Sequence, residues 1–421
     1  MKIARIAGCV CWWLFAFSPA KGDTDDVLDR LGEILTINAF DGNLQARLHG
    51  TIDVETYYVD GPAPQLIFID KGFLWNPRIS LFVDAQLGQY LYFFSQARID
   101  RGFDPERGGA DVRLDEYALR VSPWSDRGPA LQLGKFATTV GNWVARHYSW
   151  DNPFVTAPLP YENLVAIWDS RAAGSVETVL GWAHVELAPG NFSGPEFSDR
   201  HLRQPIIWGP SYSTGAAVIG RLGKFDYAME VKNTSLSSRP ETWNGTETGW
   251  GNPAVSGRLG WQPNEMWKIG VSGSTGTYLR PEAEPTLAPG HSLSDYRQIV
   301  VAQDASFSWR HLQIWAEFFE TRFEIPTVGN FDTFAYYLEA KYKLAPQWFA
   351  AVRWNQQLFG TVTNQSNREV QWGRDVWQID SAIGYRLTAH SQAKLQYTLQ
   401  HEGSAPRNYG HTVAAQITVR F

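Results

Sequence analysis

Cysteine is almost missing: the 421 residues hold two, Cys9 and Cys11, both close to the start. That excludes a disulfide scaffold and a thiolate metal centre. Methionine is equally scarce at three, and charged residues make up only 19%. The basic residues do not outnumber the acids: 37 Lys+Arg stand against 43 Asp+Glu, and a net charge of −6 leaves no footprint for nucleic acid. No apolar run approaches the roughly 20 residues of a spanning helix. Histidines are few, and His147, His184 and His201 stand near no recognisable serine motif. A nucleophile–base–orienter constellation is therefore not expected, and neither is an enzyme, a metal or a cofactor. What is abundant is aromatic: 19 Trp, with aromatics at 14% of the chain.

The chain reads as three pieces. Residues 1–20 have the form of an export signal. Lys2 and Arg5 precede an apolar stretch from Ile6 to Phe17, and Ser18-Pro19-Ala20 offers small residues for cleavage. Residues 21–44 form a short N-terminal segment expected on the periplasmic side. Val27, Leu28, Leu31, Ile34 and Leu35 recur there at helical spacing, predicting a helix over Asp23–Asn38. From residue 45 to 421 the period is two. Leu48, Ile52, Val54 and Tyr58 alternate with Arg47, His49, Asp53 and Glu55, so each segment has an apolar and a polar face.

Connections alternate in length, with short turns near Gly88, Asp126, Gly223, Pro263, Arg310, Pro346 and Ala389 and long polar stretches between them. This is the rhythm of an all-β transmembrane antiparallel barrel. The count is about sixteen strands. A count of eighteen is the alternative if Leu164–Asp169 and Val176–Leu187 add two within the long third external loop, residues 142–212. Tyr90, Trp124, Phe225, Trp261, Trp267, Trp309, Tyr342, Trp348 and Tyr385 flank the short turns, where a membrane interface would place them. A secreted glycan-binding β-protein would need polar outer faces, which these segments lack.

Two matches suggest a family. The run Arg113–Val121, a turn, then Leu131-Gln132-Leu133-Gly134-Lys135-Phe136 resembles the strand–turn–strand of the phosphate-selective porins, and Gly220–Ala228 is a second similar element. Gly141 follows the first without the prolines usual there. The final strand, with Val413, Ala415, Ile417, Val419 and Phe421 on one face, resembles the signal read by the barrel-assembly machinery. The resemblance implies an outer-membrane porin of Gram-negative bacteria that passes small hydrophilic solutes or ions passively. Its partners would be outer-membrane lipid and the assembly machinery, with a homotrimer as one assembly. It also implies that residues 142–212 fold into the lumen and narrow it.

Alternation predicts the pore lining as Arg98, Asp100, Glu116, Arg120, Glu230, Lys232, Lys268, Asp304, Glu317, Glu339, Lys341, Arg353, Asp380, Arg386 and Lys394. The two signs nearly balance, so strong ion selectivity is not expected. Trp143, Arg146, Trp150, Asp151, Arg171, Arg200 and Arg203 are the constriction candidates. That loop has no lysine and more acids than bases, which argues against phosphate. Its aromatic rings leave an oligosaccharide track as the alternative, with a wall-embedded hydrolase further behind. Lys135 is in phase with Leu131 and Leu133, and Gln303 with Val301 and Ala305. Either a bulge near Gly134 turns Lys135 inward, or it lies beyond the apolar band.

Overall fold

The alternation closes on itself. The computed structural model describes residues 23–60, 72–102, 109–124, 128–183, 202–244, 249–403 and 409–421. The expected export signal, residues 1–20, lies outside them, as do His184, Arg200 and His201. In chain order the barrel strands are β1 (Leu44–Val59), β2 (Gly72–Leu87), β3 (Leu91–Asp100), β4 (Asp111–Val121), β5 (Ala130–Phe136), β6 (Ser213–Leu222), β7 (Phe225–Lys232) and β8 (Ala254–Trp261). They continue as β9 (Trp267–Thr277), β10 (Arg297–Trp309), β11 (Leu312–Ile325), β12 (Gly329–Lys343), β13 (Trp348–Phe359), β14 (Val376–Arg386), β15 (Ser391–Glu402) and β16 (Tyr409–Arg420). Each pairs antiparallel with its neighbour, and β1 pairs with both β2 and β16. The barrel therefore has sixteen strands and no open seam.

The eighteen-strand alternative does not occur. Val165–Trp168 is extended but pairs with Arg203–Gln204 in a separate two-stranded sheet. Val176–Ala183 is a helix, with Glu177 in its first turn and the Ser175 hydroxyl accepting from the Thr178 N–H. At the N-terminus a helix covers Asp23–Ile34, and Thr36–Ala39 is a strand where helical spacing predicts helix. Its partner is Leu44–Arg47, an edge left open because β16 pairs with β1 only from Thr51 onward. Unpaired N–H and C=O groups at such an edge recruit the nearest extended segment.

The outer face is greasy. Leu133, Val218, Leu259, Val271, Leu338, Val352 and Ile383 are all exposed. Around the short-turn end Tyr90, Trp124, Phe225, Trp261, Trp267, Trp309, Tyr342 and Trp348 are exposed too, and Tyr385 packs at a tilt on Trp348 with ring centroids 4.5 Å apart. Nearer the long-loop end the Trp354, Trp377 and His401 rings stack in series at 5.5 and 5.4 Å. An apolar wall between two aromatic belts is what a bilayer demands of a barrel, and such barrels span outer membranes.

Near the long-loop end the pattern inverts. On β11 the outer positions become Glu320, Arg322 and Glu324, while Phe319, Phe323 and Ile325 are buried inside. There the wall stands in water outside and packs on protein within. Of the two positions whose phase conflicts with their polarity, Lys135 is 4% exposed and points inward, whereas Gln303 stays outside with Val301. The switch lies at Gly134, whose φ is +136°. A Cβ there would collide with the Tyr117 carbonyl oxygen.

Gly134→Ala should therefore destabilise the barrel by about 1–3 kcal/mol, because both the φ and the contact are forbidden to a side chain. A lower urea midpoint, read by the heat-sensitive shift in gel migration, is the check; an unchanged midpoint contradicts the assignment.

Candidate functional site

The described residues that leave β5, 137–183, and those that lead back to β6, 202–212, pack inside the barrel. A backbone in that position needs partners for its own amides. The wall supplies them from inward side chains, of which the predicted lining includes Glu116, Glu230 and Glu317 and omits Gln396 and Asn355. Glu116 accepts from the Ala137 N–H at 2.8 Å and Glu230 from the Thr139 N–H at 3.3 Å. Glu317 accepts from the Asn142 and Trp143 N–H groups and from the Tyr161 hydroxyl at 2.8 Å. Gln396 accepts from Val155 and Thr156, and Asn355 from Leu159.

Bases bind the carbonyls. The Lys394 ammonium donates to Ser149, Asn152 and Phe154 oxygens at 2.7, 2.9 and 3.1 Å. Arg353 reaches the Thr156 and Ala157 oxygens and also pairs with Asp380 at 2.8 Å. Lys232 donates to Phe136 O at 2.7 Å. Arg146 supplies a strong ion pair from the loop side, with Glu339 at 2.5 Å. An apolar core continues toward the long-loop end, where Val140, Trp143, Val165, Ile167, Val179 and Ile206 pack on Phe319, Phe323 and Phe331.

The predicted lining residues thus divide. Glu230, Lys232, Asp304, Glu317, Glu339, Arg353, Asp380 and Lys394 are buried. Arg98 pairs with Asp115 at 2.8 Å, and Asp100 holds Arg113. Arg120, Lys268 and Arg146 line a cavity of about 920 Å³ at the short-turn end. Arg120 also borders a second, of about 730 Å³, with Glu116, Trp150 and Asp151. Arg386 lies over the Trp150 ring at 5.0 Å and Lys341 over Phe349 at 4.6 Å.

The loop candidates are not gathered into one ring. Trp143 is buried against Tyr161, Arg171 is exposed, and Arg203 donates to the Trp182 carbonyl. Alternation misses Asp115. The register shifts between Gln96 and Ala97, so Asp115 is an extra residue and both it and Glu116 are buried. It also misses Arg78, which holds Asp53 and Glu55, and Arg258, which bridges Asp226 and Asp304.

Solved structures share this architecture. OmpF of Salmonella typhi aligns with a TM-score of 0.56 at 11% identity, covering 91% of this chain and 100% of that one. The anion-selective porin of Comamonas acidovorans gives 0.55 at 11%, over 90% and 100%. The channel DcaP of Acinetobacter baumannii gives 0.55 at 9%, over 91% and 100%. The fold is the porin barrel. No family model matches the sequence, and comparison with curated proteins finds no relative.

Two titrations within the loop follow from enclosure. Burial pushes the His147 imidazole down to about 4, leaving it neutral between Val144 O at 2.5 Å and the Tyr212 hydroxyl at 2.6 Å. Burial pushes the Glu162 carboxyl up to about 8 from 4.5, against a weaker opposing hydrogen bond from Ala157. From pH 4.5 to 8 the seated loop holds a proton that an exposed Glu162 would release, so this group's contribution to seating falls as pH rises through that window.

Two expectations result. Lys394→Met should strip a donor from three loop carbonyls, at about 1 kcal/mol or more each. Limited proteolysis would then cut within 142–183 while the barrel keeps its heat-sensitive migration; resistance equal to the parent's refutes the anchoring role. Glu162→Gln should flatten the rise in loop cleavage between about pH 5 and 8, and an unaltered profile assigns that rise elsewhere.

Proposed function

We propose that the protein is an outer-membrane porin through which small hydrophilic solutes or ions diffuse passively, with no covalent chemistry. The observation that carries this reading is a closed sixteen-strand wall, apolar outside, with open cavities bordered by charged side chains at the short-turn end and bounded by a long loop folded into the lumen. Sixteen strands enclose more width than wall side chains alone can fill. The loop narrows that width, and its wall-side anchors fix where the narrowing falls. The interior chemistry supports diffusion: its buried charges are engaged in ion pairs and in hydrogen bonds to loop amides that hold a shape. The buried state of Trp143, Phe154, Tyr161 and Trp182 favours packing over sugar stacking as the role of the loop aromatics. Export by the N-terminal signal, insertion through the C-terminal strand and assembly as a homotrimer belong to the same proposal.

Purified, heat-modifiable protein added to a planar bilayer should produce discrete, ohmic current steps, and liposomes carrying it should swell in small sugars. Folded protein that yields neither steps nor swelling defeats the porin reading while leaving the barrel intact.

A further inference from the structure

Lumen charge is sorted by access to water. Among the described residues, eleven acidic side chains are buried against six basic ones. Glu116, Glu230 and Glu317 are withdrawn by loop amides, and Glu339 by Arg146. Glu230, Glu317 and Glu339 have become internal acceptors away from the two cavities, and Glu116, though it accepts from Ala137, still borders the smaller one.

Of the cations beside the two short-turn cavities, Arg146 and Arg258 are paired with carboxylates, whereas Arg120, Arg221 and Arg420 have neutral partners. Arg120 donates to the Gln132 amide oxygen at 2.7 Å. Arg221 donates to Gly223 O and Gln262. Arg420 donates to Ala389 O and lies over the Trp150 ring at 4.1 Å, with Arg386 also over that ring. Lys268 is exposed on the wall of the larger cavity. The acids that share this space are mostly engaged: Asp84 binds His49 and Tyr92, and Asp226 binds Arg258, leaving Asp151 exposed. At the rim Asp29 of the N-terminal helix meets His390 at 2.9 Å.

We propose that this vestibule favours small anions over cations, and that the folded loop creates the preference by taking wall carboxylates out of water. The inference rests on the porin reading above and names its substrate class. Formal charge along the lumen is near balance, so the sign of selectivity is set by which charges the loop covers. A surplus potential of about one kT raises anion occupancy and lowers cation occupancy by about e each, a permeability ratio of roughly seven.

The test is the reversal potential of the full-length protein in a KCl gradient across a planar bilayer. Chloride should outpace potassium several-fold. Arg120→Gln with Lys268→Gln should bring the ratio close to one. A barrel with residues 137–211 replaced by a short turn should show a lower ratio, because Glu116, Glu230, Glu317 and Glu339 would lose their loop donors while among the wall bases Lys394 and Arg353 lose loop acceptors. Should the shortened chain fail to fold, the double substitution still decides the sign. Conducting protein with a ratio at or below one overturns anion preference and spares the porin reading. A loopless channel that keeps the parental ratio overturns the masking role. Folded protein that never conducts overturns both readings.

Discussion

A chain segment threaded through a barrel cannot leave its amides bare, and this constraint organises the molecule. The usual solutions are a helix or a sheet ladder, both of which satisfy backbone with backbone. Here much of the burden between Ala137 and Leu159 falls on wall side chains. Carboxylates and amide oxygens take the N–H groups, while Lys394, Arg353 and Lys232 take the carbonyls. Because a buried charge is costly unless fully bonded, each such contact also fixes the wall residue that makes it. The loop and the inner wall are one hydrogen-bonded body, and the shape of the remaining space follows from it.

The wall itself answers to two solvents. Across the middle of the barrel hydrocarbon lies outside and polar groups lie within, so alternation runs apolar-out. Toward the long-loop end of β11 and β12 the outer partners are Arg322 and Asp332, an exposed ion pair, and the inner ones are Phe323 and Phe331. The inversion marks where the wall leaves hydrocarbon and becomes the shell of a loop core. Trp372, fully buried between Phe331 and Phe359, belongs to that core and not to either belt. The high tryptophan content therefore has two causes, interface belts outside and loop packing inside.

Period-two alternation with an aromatic at nearly every short turn is sufficient to read the sixteen strands from the residues, because hydrocarbon enforces that pattern at every lipid-facing position. The inward set is legible for the same reason: Arg353, Asp380 and Lys394 follow directly from the phase of their apolar neighbours. What alternation cannot supply are departures from it. Gly134 turns Lys135 inward by a positive φ, and the shift opposite Gln96 buries Asp115 beside Glu116; both are local backbone events without a periodic signature. Nor does a strand pattern say which lumen charges another segment will cover. Short apolar runs do not announce their partners either: Val165, Ala166 and Ile167 read equally well as an added wall strand or as loop core, and only the packing on β10 and β11 decides.

Identity near a tenth with barrels of the same architecture is what these constraints lead one to expect. Lipid asks for apolar character at alternate positions and accepts Leu, Val, Ile, Ala or Phe almost indifferently, so lipid-facing sequence drifts while the wall persists. The lumen is less permissive, but its demands are private to each chain. An inward Glu is useful only where a loop amide arrives to meet it, and the loop's course depends in turn on the wall it meets. Pairs such as Glu317 with Asn142 and Trp143, or Lys394 with Ser149 and Phe154, must change together or not at all. The architecture can thus be shared across distant proteins while the accessible charge, and with it the choice of solute, is set separately by each pairing of loop and wall.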